Sequence, residues 1–314
     1  MTITKDLLDL RTLPADEILA YLDTAESFLE VLARPVKKVP ILRGKSVATL
    51  FFEPSTRTRT SFEAAAKIMS ADTYSLAGST SSTVKGETLK DTMLTLDAMG
   101  IDAYVIRHAS SGAAELAARY VPNKPVINAG DGTHEHPTQG LLDLLTIRQA
   151  KGRIEGLTVA IVGDIAHSRV ARSNIWGLHA LGAKVRLVGP KTLMPADAHL
   201  LPAAIYTNLK DGLEGADVVN ILRIQLERQD NAYFPSLSEY ANLFGVNEIK
   251  LASAKNDVTI MHPGPMNRGV EIASSLADNE KYSVITQQVT NGVAVRMAVL
   301  FRLMSASSIR GGVN

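Results

Sequence analysis

Ser46-Val47-Ala48-Thr49-Leu50-Phe51-Phe52-Glu53-Pro54-Ser55-Thr56-Arg57-Thr58-Arg59 is the stretch on which the fold turns. Ser46 to Phe52 is a short β-rich run that stops at Glu53-Pro54, where proline disfavours continuation. Thr58 to Met69 then places Phe62, Ala66 and Met69 at helical spacing, so the chain passes from strand through a polar turn into helix. Regular elements continue outward in both directions. Upstream, Pro14 and Pro35 bracket a helix over Ala15–Leu32, with Ile18, Leu19, Leu22, Phe28, Leu29 and Leu32 as its apolar stripe. Downstream, helices over Glu87–Met99, Ala113–Tyr120 and Thr138–Gln149 alternate with strands Ala103–Ile106 and Pro125–Asn128.

The polar segment Lys151–Gly156 contains two glycines and reads as a hinge, after which the alternation restarts. Strand Thr158–Val162 precedes helix Arg169–Leu181; strand Val185–Val188, helix Leu209–Glu214 and strands Val218–Leu222 and Val258–Met261 follow. A long helix over Ile285–Met304 closes the chain. Strands alternating with helices predict parallel sheets with right-handed crossovers. The expected fold class is α/β, two doubly wound parallel-sheet domains, a count that suits 314 residues. Ligands in such folds bind beyond the carboxyl ends of the strands, so the residues just after each strand carry the functional information.

Composition narrows the function. Apolar residues make up 46% and charged residues 21%, and the net charge of +1 supplies no global field for nucleic acid or an anionic membrane. Any anion site must come from local arginines and lysines. The chain has no cysteine, which excludes disulfides, thiolate nucleophiles and Cys-ligated metal centres within it. The N-terminal residues lack the apolar core of a signal peptide, and no stretch reads as a bilayer span, Arg296 and Arg302 interrupting the most apolar one. The expectation is a cytoplasmic soluble protein.

Ser55 and Thr56 suit a helix N-cap, where first-turn amides and the helix dipole favour an anion. Arg57 and Arg59 oppose that dipole unless an anion is present. A phosphate cradle and a capped helix whose arginines are balanced by Glu53 fit these residues equally. His134-Glu135-His136, with Asp131 nearby, has the residue types of a metal site, although a Gly-rich turn before Pro137 weakens the geometry. Gly163-Asp164-Ile165-Ala166-His167-Ser168 begins like a dinucleotide-binding turn but lacks G-x-G-x-x-G, and no Walker lysine follows. Arg223-Ile224-Gln225 projects two side chains to one face of an extended segment, and Arg169 follows another strand. Two such arginines suit a dicarboxylate; taken singly, each reads rather as a surface ion pair, Arg223 with Glu227. The polar run Ser79–Gly86 reads as a solvated loop.

Ser-Thr-Arg-Thr-Arg at residues 55–59, after a strand ending Phe-Phe-Glu-Pro, resembles the carbamoyl phosphate signature of the aspartate and ornithine carbamoyltransferase superfamily. Arg107-His108 after a strand resembles the family's second phosphate-side arginine, and His136-Pro137-Thr138-Gln139 its His-Pro-x-Gln motif. The likeness runs from the first helix to the last. It implies a carbamoyl phosphate-binding domain of residues 1–137 plus 287–314, with a returning C-terminal helix. An aspartate-binding domain of residues 138–286 would be joined to it by long interdomain helices. Ser55, Thr56, Arg57 and Thr58 would hold the phosphate, with Arg107 on another side. Thr58, Arg107 and His136 would reach the carbonyl oxygen, and Gln139 the carbamoyl NH2.

On the acceptor side the resemblance assigns Arg169 to the α-carboxylate of aspartate and Arg223 with Gln225 to the β-carboxylate. His262-Pro263-Gly264-Pro265 resembles the loop of bacterial aspartate enzymes, with the carbonyls of Pro263 and Gly264 facing the carbamoyl NH2 and the incoming amine. Some relatives carry Leu where Gly264 stands. Ornithine enzymes have a Cys in this loop, and this chain has none. Ser81 and Lys85 match positions on a loop that completes a neighbouring subunit's site, Lys85 reaching both substrates, which implies a homotrimer with shared sites. The reaction implied is carbamoyl transfer to L-aspartate, the committed step of de novo pyrimidine (UMP) biosynthesis, with Arg57, Thr58, Lys85, Arg107 and His136 catalytic. The resemblance calls for no cofactor, metal, nucleic acid or membrane. It leaves open regulatory or dihydroorotase-type partner subunits.

Overall fold

The computed structural model describes residues 4–77, 87–224 and 236–311, with side chains through residue 306. Its elements are α1 (Ala15–Ala33), β1 (Ser46–Phe51), α2 (Thr56–Ile68), β2 (Asp72–Ala77), α3 (Leu89–Ala98), β3 (Ala103–His108), α4 (Ala113–Tyr120), β4 (Val126–Asp131), α5 (Pro137–Lys151), β5 (Thr158–Val162), α6 (Arg169–Ala180), β6 (Lys184–Val188), β7 (Ala204–Tyr206), α7 (Leu209–Leu213), β8 (Val218–Ile221), α8 (Leu237–Phe244), α9 (Glu248–Leu251), β9 (Thr259–Met261), α10 (Ser274–Ala277) and α11 (Ile285–Gly311). Two compact units result, residues 1–142 with 290–314, and residues 143–289. The chain crosses between them within α5 and again within α11.

The first unit holds a parallel sheet in the order β2-β1-β3-β4. From β1 the chain steps outward to β2 and then returns to the other side for β3, so the strand order reverses between β1 and β3. A crevice opens at such a switch point, beyond the carboxyl ends of the flanking strands. Register places Phe51 beside Arg107 there. The apolar residues of β1, β3 and β4 are almost wholly buried, as expected of strands covered on both faces. Thr49 is the polar exception inside β1, and its hydroxyl meets that of Ser75 on β2 at 2.6 Å.

Helix α2 buries Phe62, Ala65, Ala66 and Met69. The α1 stripe is rotated from the sequence expectation: Tyr21, Ala25 and Val31 join Ile18, Leu22 and Phe28 inside, while Leu19 is 41% exposed. Tyr21 packs its ring under the Arg302 guanidinium, 5.1 Å from the ring centroid, which offsets the cost of burying a phenol there. Ahead of α1, Leu7 lies parallel to Ile127, donating its amide to Val126 O at 3.0 Å and accepting from Asn128 N at 2.9 Å. The N-terminal segment thereby covers the open edge of β4, a protection that an exposed strand edge needs.

The second unit holds the parallel order β7-β6-β5-β8-β9, with its switch point between β5 and β8. Its core gathers Val162, Val188, Ile221, Tyr240, Phe244, Ile260 and Ile272. Gly163 ends β5 with φ 132°, and a Cβ there would stand 3.1 Å from Leu222 Cβ. Only glycine lets the two strand ends approach that closely.

One expectation about the last helix is corrected. Ile285–Ala306 is long and apolar enough, by composition, to cross a membrane despite Arg296. Most of that stretch is buried inside the protein, however. Arg296 is itself buried, lying 5.1 Å over the Phe62 ring and donating to Gly292 O at 2.9 Å. The apolar run is that of a core helix whose arginine is spent on a π face and a carbonyl.

Candidate active site

Ser55 is the N-cap of α2 by its extended backbone, yet its hydroxyl makes no capping bond, contrary to the sequence expectation. The first turn also contains no acidic side chain. By comparison, Thr88 caps α3 and Ser168 caps α6 through side-chain oxygens. A helix start with neither hydroxyl cap nor carboxylate leaves its amides oriented for an outside anion. Arg57 is exposed there and Thr58 is largely buried behind it. Arg59 runs back along the helix, its Nε 3.7 Å from Glu63 Oε1, and Glu63 also receives the Ser75 hydroxyl.

Glu53 reaches across to β3. Its carboxylate takes Arg107 Nη2 at 3.0 Å, with both side chains mostly buried, while Arg107 Nη1 donates to Ala129 O at 3.3 Å. The pair spans the switch point: Glu53 follows β1, and Arg107 ends β3. Arg107 therefore stands against the same crevice as Ser55–Thr58, held by a partner that local sequence reading did not find. Linking Glu53 to Arg107 requires the sheet register, which no short motif carries.

The turn after β4 completes this half of the site. Asp131 is buried and accepts Gly112 N at 2.6 Å, Asn128 Nδ2 at 2.8 Å, Glu135 N at 3.2 Å and His134 Nδ1 at 3.2 Å. Burial pushes Asp131 up, but the bonds from His134, Asn128 and Gly112 outweigh it and hold the carboxyl below its usual range. The Asp131 hydrogen bond raises His134 above the ordinary imidazole value against the opposing effect of burial. His136, Thr138 and Gln139 are buried at the start of α5, where Gln139 N bonds His136 O at 2.9 Å. His134 is thus held on Asp131, and Glu135 on the amides of Leu10 and Arg11. Among the described residues, no three His, Asp or Glu side chains are placed to hold a metal ion.

In the second unit, Arg169 opens α6 and is 3% exposed, directly after Ser168, whose Oγ accepts Ala171 N at 3.1 Å. The turn before it is folded by buried Asp164, which takes His167 N at 3.1 Å and His167 Nδ1 at 2.9 Å. Arg223 follows β8, across the switch point from that turn. The loop after β9 is braced by His262, whose Nδ1 accepts Gly264 N at 2.8 Å and whose Nε2 therefore donates to Glu271 Oε1 at 3.1 Å. Asn267 donates its amide to the same oxygen at 2.5 Å and its Nδ2 to Ile224 O at 2.9 Å, tying the Pro263–Gly264 loop to the segment beside Arg223. Burial, then the nearby Glu271 and Asp164 carboxylates, push the Tyr240 phenol far above its ordinary value. Gln225, Ser81 and Lys85 lie outside the described residues.

Each unit, then, presents arginines at the switch point of a doubly wound parallel sheet, the architecture of an α/β protein binding anionic small molecules. Known proteins agree with that class and narrow it. Residues 5–149 match the family model for the aspartate/ornithine carbamoyltransferase carbamoyl-P binding domain. Residues 155–303 match the Asp/Orn binding domain of the same family. The aspartate carbamoyltransferase catalytic subunit of Heliobacterium modesticaldum is 59% identical over 303 residues, covering 96% of each chain. Aspartate transcarbamoylase from Trypanosoma cruzi in complex with N-(phosphonacetyl)-L-aspartic acid superposes with a TM-score of 0.86 at 30% identity, covering 96% of each chain. Ornithine carbamoyltransferase from Pyrococcus furiosus superposes with a TM-score of 0.84, also at 30% identity, covering 98% of each. The chain belongs to the aspartate/ornithine carbamoyltransferase family.

Proposed function

We propose that this chain transfers the carbamoyl group of carbamoyl phosphate to the α-amine of L-aspartate, giving N-carbamoyl-L-aspartate and phosphate. The observation that carries the phosphate half is the α2 start at the β1/β3 switch point, without a side-chain cap and with Arg107 alongside. Fold alone does not choose the acceptor, because the ornithine and aspartate enzymes superpose almost equally well. The choice of aspartate rests on the 59% identical relative, on Arg169 and Arg223 flanking the second switch point, and on the absence of cysteine.

In this reading Ser55, Thr56, Arg57 and Thr58 hold the phosphate through amides, hydroxyls and a guanidinium fork, and Arg107 grips it from β3. The deprotonated amine of aspartate attacks the carbonyl carbon, and the oxygen that gains charge faces Thr58, Arg107 and His136. The C–O bond to phosphate then breaks, and the departing phosphate takes the amine proton while Arg57, Arg107 and Lys85 stabilise its charge. Gln139 and the carbonyls of Pro263 and Gly264 hold the carbamoyl NH2. Arg169 takes the α-carboxylate, and Arg223 with Gln225 the β-carboxylate. Catalysis rests on positioning and electrostatics, with no dedicated protein base. The working form is a cytoplasmic homotrimer in which Ser81 and Lys85 come from a neighbouring copy, and the product feeds pyrimidine synthesis. Association with regulatory or dihydroorotase-type subunits is compatible with this form.

Phosphate release from carbamoyl phosphate, measured with L-aspartate and L-ornithine offered separately, tests the reading. Release that depends on aspartate is expected. Release only with ornithine would retain the phosphate cradle and overturn the roles of Arg169 and Arg223, and release with neither would leave only an anion site.

A further inference from the structure

The turn between β4 and α5 contains a buried carboxylate to which the proposed reaction gives no part. Glu135 is 1% exposed, and its two oxygens accept the backbone amides of Leu10 at 2.8 Å and Arg11 at 3.3 Å. Amide bonds to a buried carboxylate are charge-assisted and lose little to solvent. The backbone of Glu135 shares in holding the turn, forming an antiparallel bridge to Asp131 and donating its amide to Asp131 Oδ1 at 3.2 Å.

The segment that Glu135 holds is itself seated on the sheet. Asp6 Oδ1 accepts Val126 N at 2.8 Å, Leu8 O accepts Asn128 Nδ2 at 2.8 Å, and the side chains of Leu7 and Leu10 are buried. On its other side Glu135 is one peptide from His136. The first turn of α5 follows rigidly, because both Gln139 N and Gly140 N bond His136 O. A displacement of Glu135 is thus passed to His136 and Gln139 with no flexible joint between.

We infer that Glu135 is a positioning residue of the carbamoyl phosphate half-site. By gripping the amides of Leu10 and Arg11 it locks the N-terminal segment to the end of β4 and sets where His136 and Gln139 stand. The inference rests on the roles proposed above for those two residues.

The test uses full-length Glu135→Ala, Glu135→Gln and Glu17→Ala proteins. Glu17 holds Thr4 N at 2.8 Å and the Thr4 hydroxyl at 3.1 Å, so its removal loosens the far end of the same segment and leaves the turn untouched. Carbamoyl phosphate and aspartate are varied in turn, and Tm is recorded for each protein. Glu135→Ala is expected to lower kcat/KM for carbamoyl phosphate by about ten- to a hundredfold, the scale of a misplaced binding group, with little change in the aspartate KM. Glu135→Gln, which keeps one acceptor oxygen, should fall between it and the wild type. Glu17→Ala should lose Tm and keep its kinetics.

Wild-type kinetics in folded Glu135→Ala would overturn the inference alone. So would an equal kinetic loss in Glu17→Ala at equal loss of Tm, because the effect would then be global. Where Glu135→Ala does not fold, Glu135→Gln decides. A raised carbamoyl phosphate KM beside a normal aspartate KM supports the role, and normal values of both overturn it. A wild-type protein that releases phosphate with neither aspartate nor ornithine would overturn this inference and the functional reading together, whereas release with ornithine alone would overturn only the acceptor, and the same kinetics read with ornithine would decide the role of Glu135.

Discussion

Arg57 enters α2 at the end where the helix dipole resists positive charge, an opposition that a bound phosphate offsets. Arg57→Ala should lower kcat by about 10² or more while the aspartate KM changes little, as steady-state kinetics would show. Arg169 is buried, and a guanidinium bond to a carboxylate is worth about 1.5–3 kcal/mol. Arg169→Ala should therefore raise the aspartate KM by roughly ten- to a hundredfold and spare the carbamoyl phosphate KM. The His134–Asp131 contact gives a pH signature. His134 is raised above its ordinary 6.5, so its contribution is complete below that value and disappears as pH rises through the folded pKa. Asp131 is depressed below its ordinary 3.8, so its contribution is present above that value and disappears as pH falls through the folded pKa. The Tm difference between wild type and His134→Ala should be largest between the two ordinary values, 3.8 and 6.5, and shrink as pH rises through the raised His134 pKa; a difference constant with pH would contradict the pairing. Arg57, Arg169 and His136 were legible because strand-to-helix turns announce themselves locally. Glu53 on Arg107 and Glu135 on Leu10 were not, since each links residues that only the folded sheet brings together.

Among the elements, α2 depends on Phe62, which is fully buried beneath the Arg296 guanidinium. Phe62→Ala should cost about 3–5 kcal/mol in urea denaturation and weaken carbamoyl phosphate binding along with stability. Ser168 caps α6 one residue before Arg169, so Ser168→Ala should cost about 1 kcal/mol. Its kinetic effect should fall on the aspartate KM. Strands such as Thr158–Val162 were readable from their apolar runs, and α1 and α2 from the helical spacing of their apolar residues. Asp72–Ala77 was not, because an edge strand with Tyr74 half exposed alternates polar and apolar residues too weakly to stand out. Ala204–Tyr206, Glu248–Leu251 and Ser274–Ala277 are only three or four residues long, below the length at which a period can be seen.

The proposed trimer makes a prediction that single-residue kinetics does not reach. If Lys85 serves a neighbouring copy's site while Arg107 serves its own, Lys85→Ala and Arg107→Ala proteins should each be nearly inactive alone. Mixed and reassembled, they should regain activity, since some hybrid sites then receive both wild-type residues; a mixture no more active than its parts would count against sharing. The two sheets carry a different consequence. Each has its own strand-order reversal, one between β1 and β3 and the other between β5 and β8, and each reversal opens its own crevice. The donor's phosphate and the acceptor's carboxylates are therefore read by largely separate stretches of the gene. Mutation can revise the loops after β5 and β8, and with them the choice of amine, while the phosphate cradle is inherited unchanged. On this architecture a new amine specificity is a change of vocabulary within a fixed grammar, reachable by a few substitutions in half the chain.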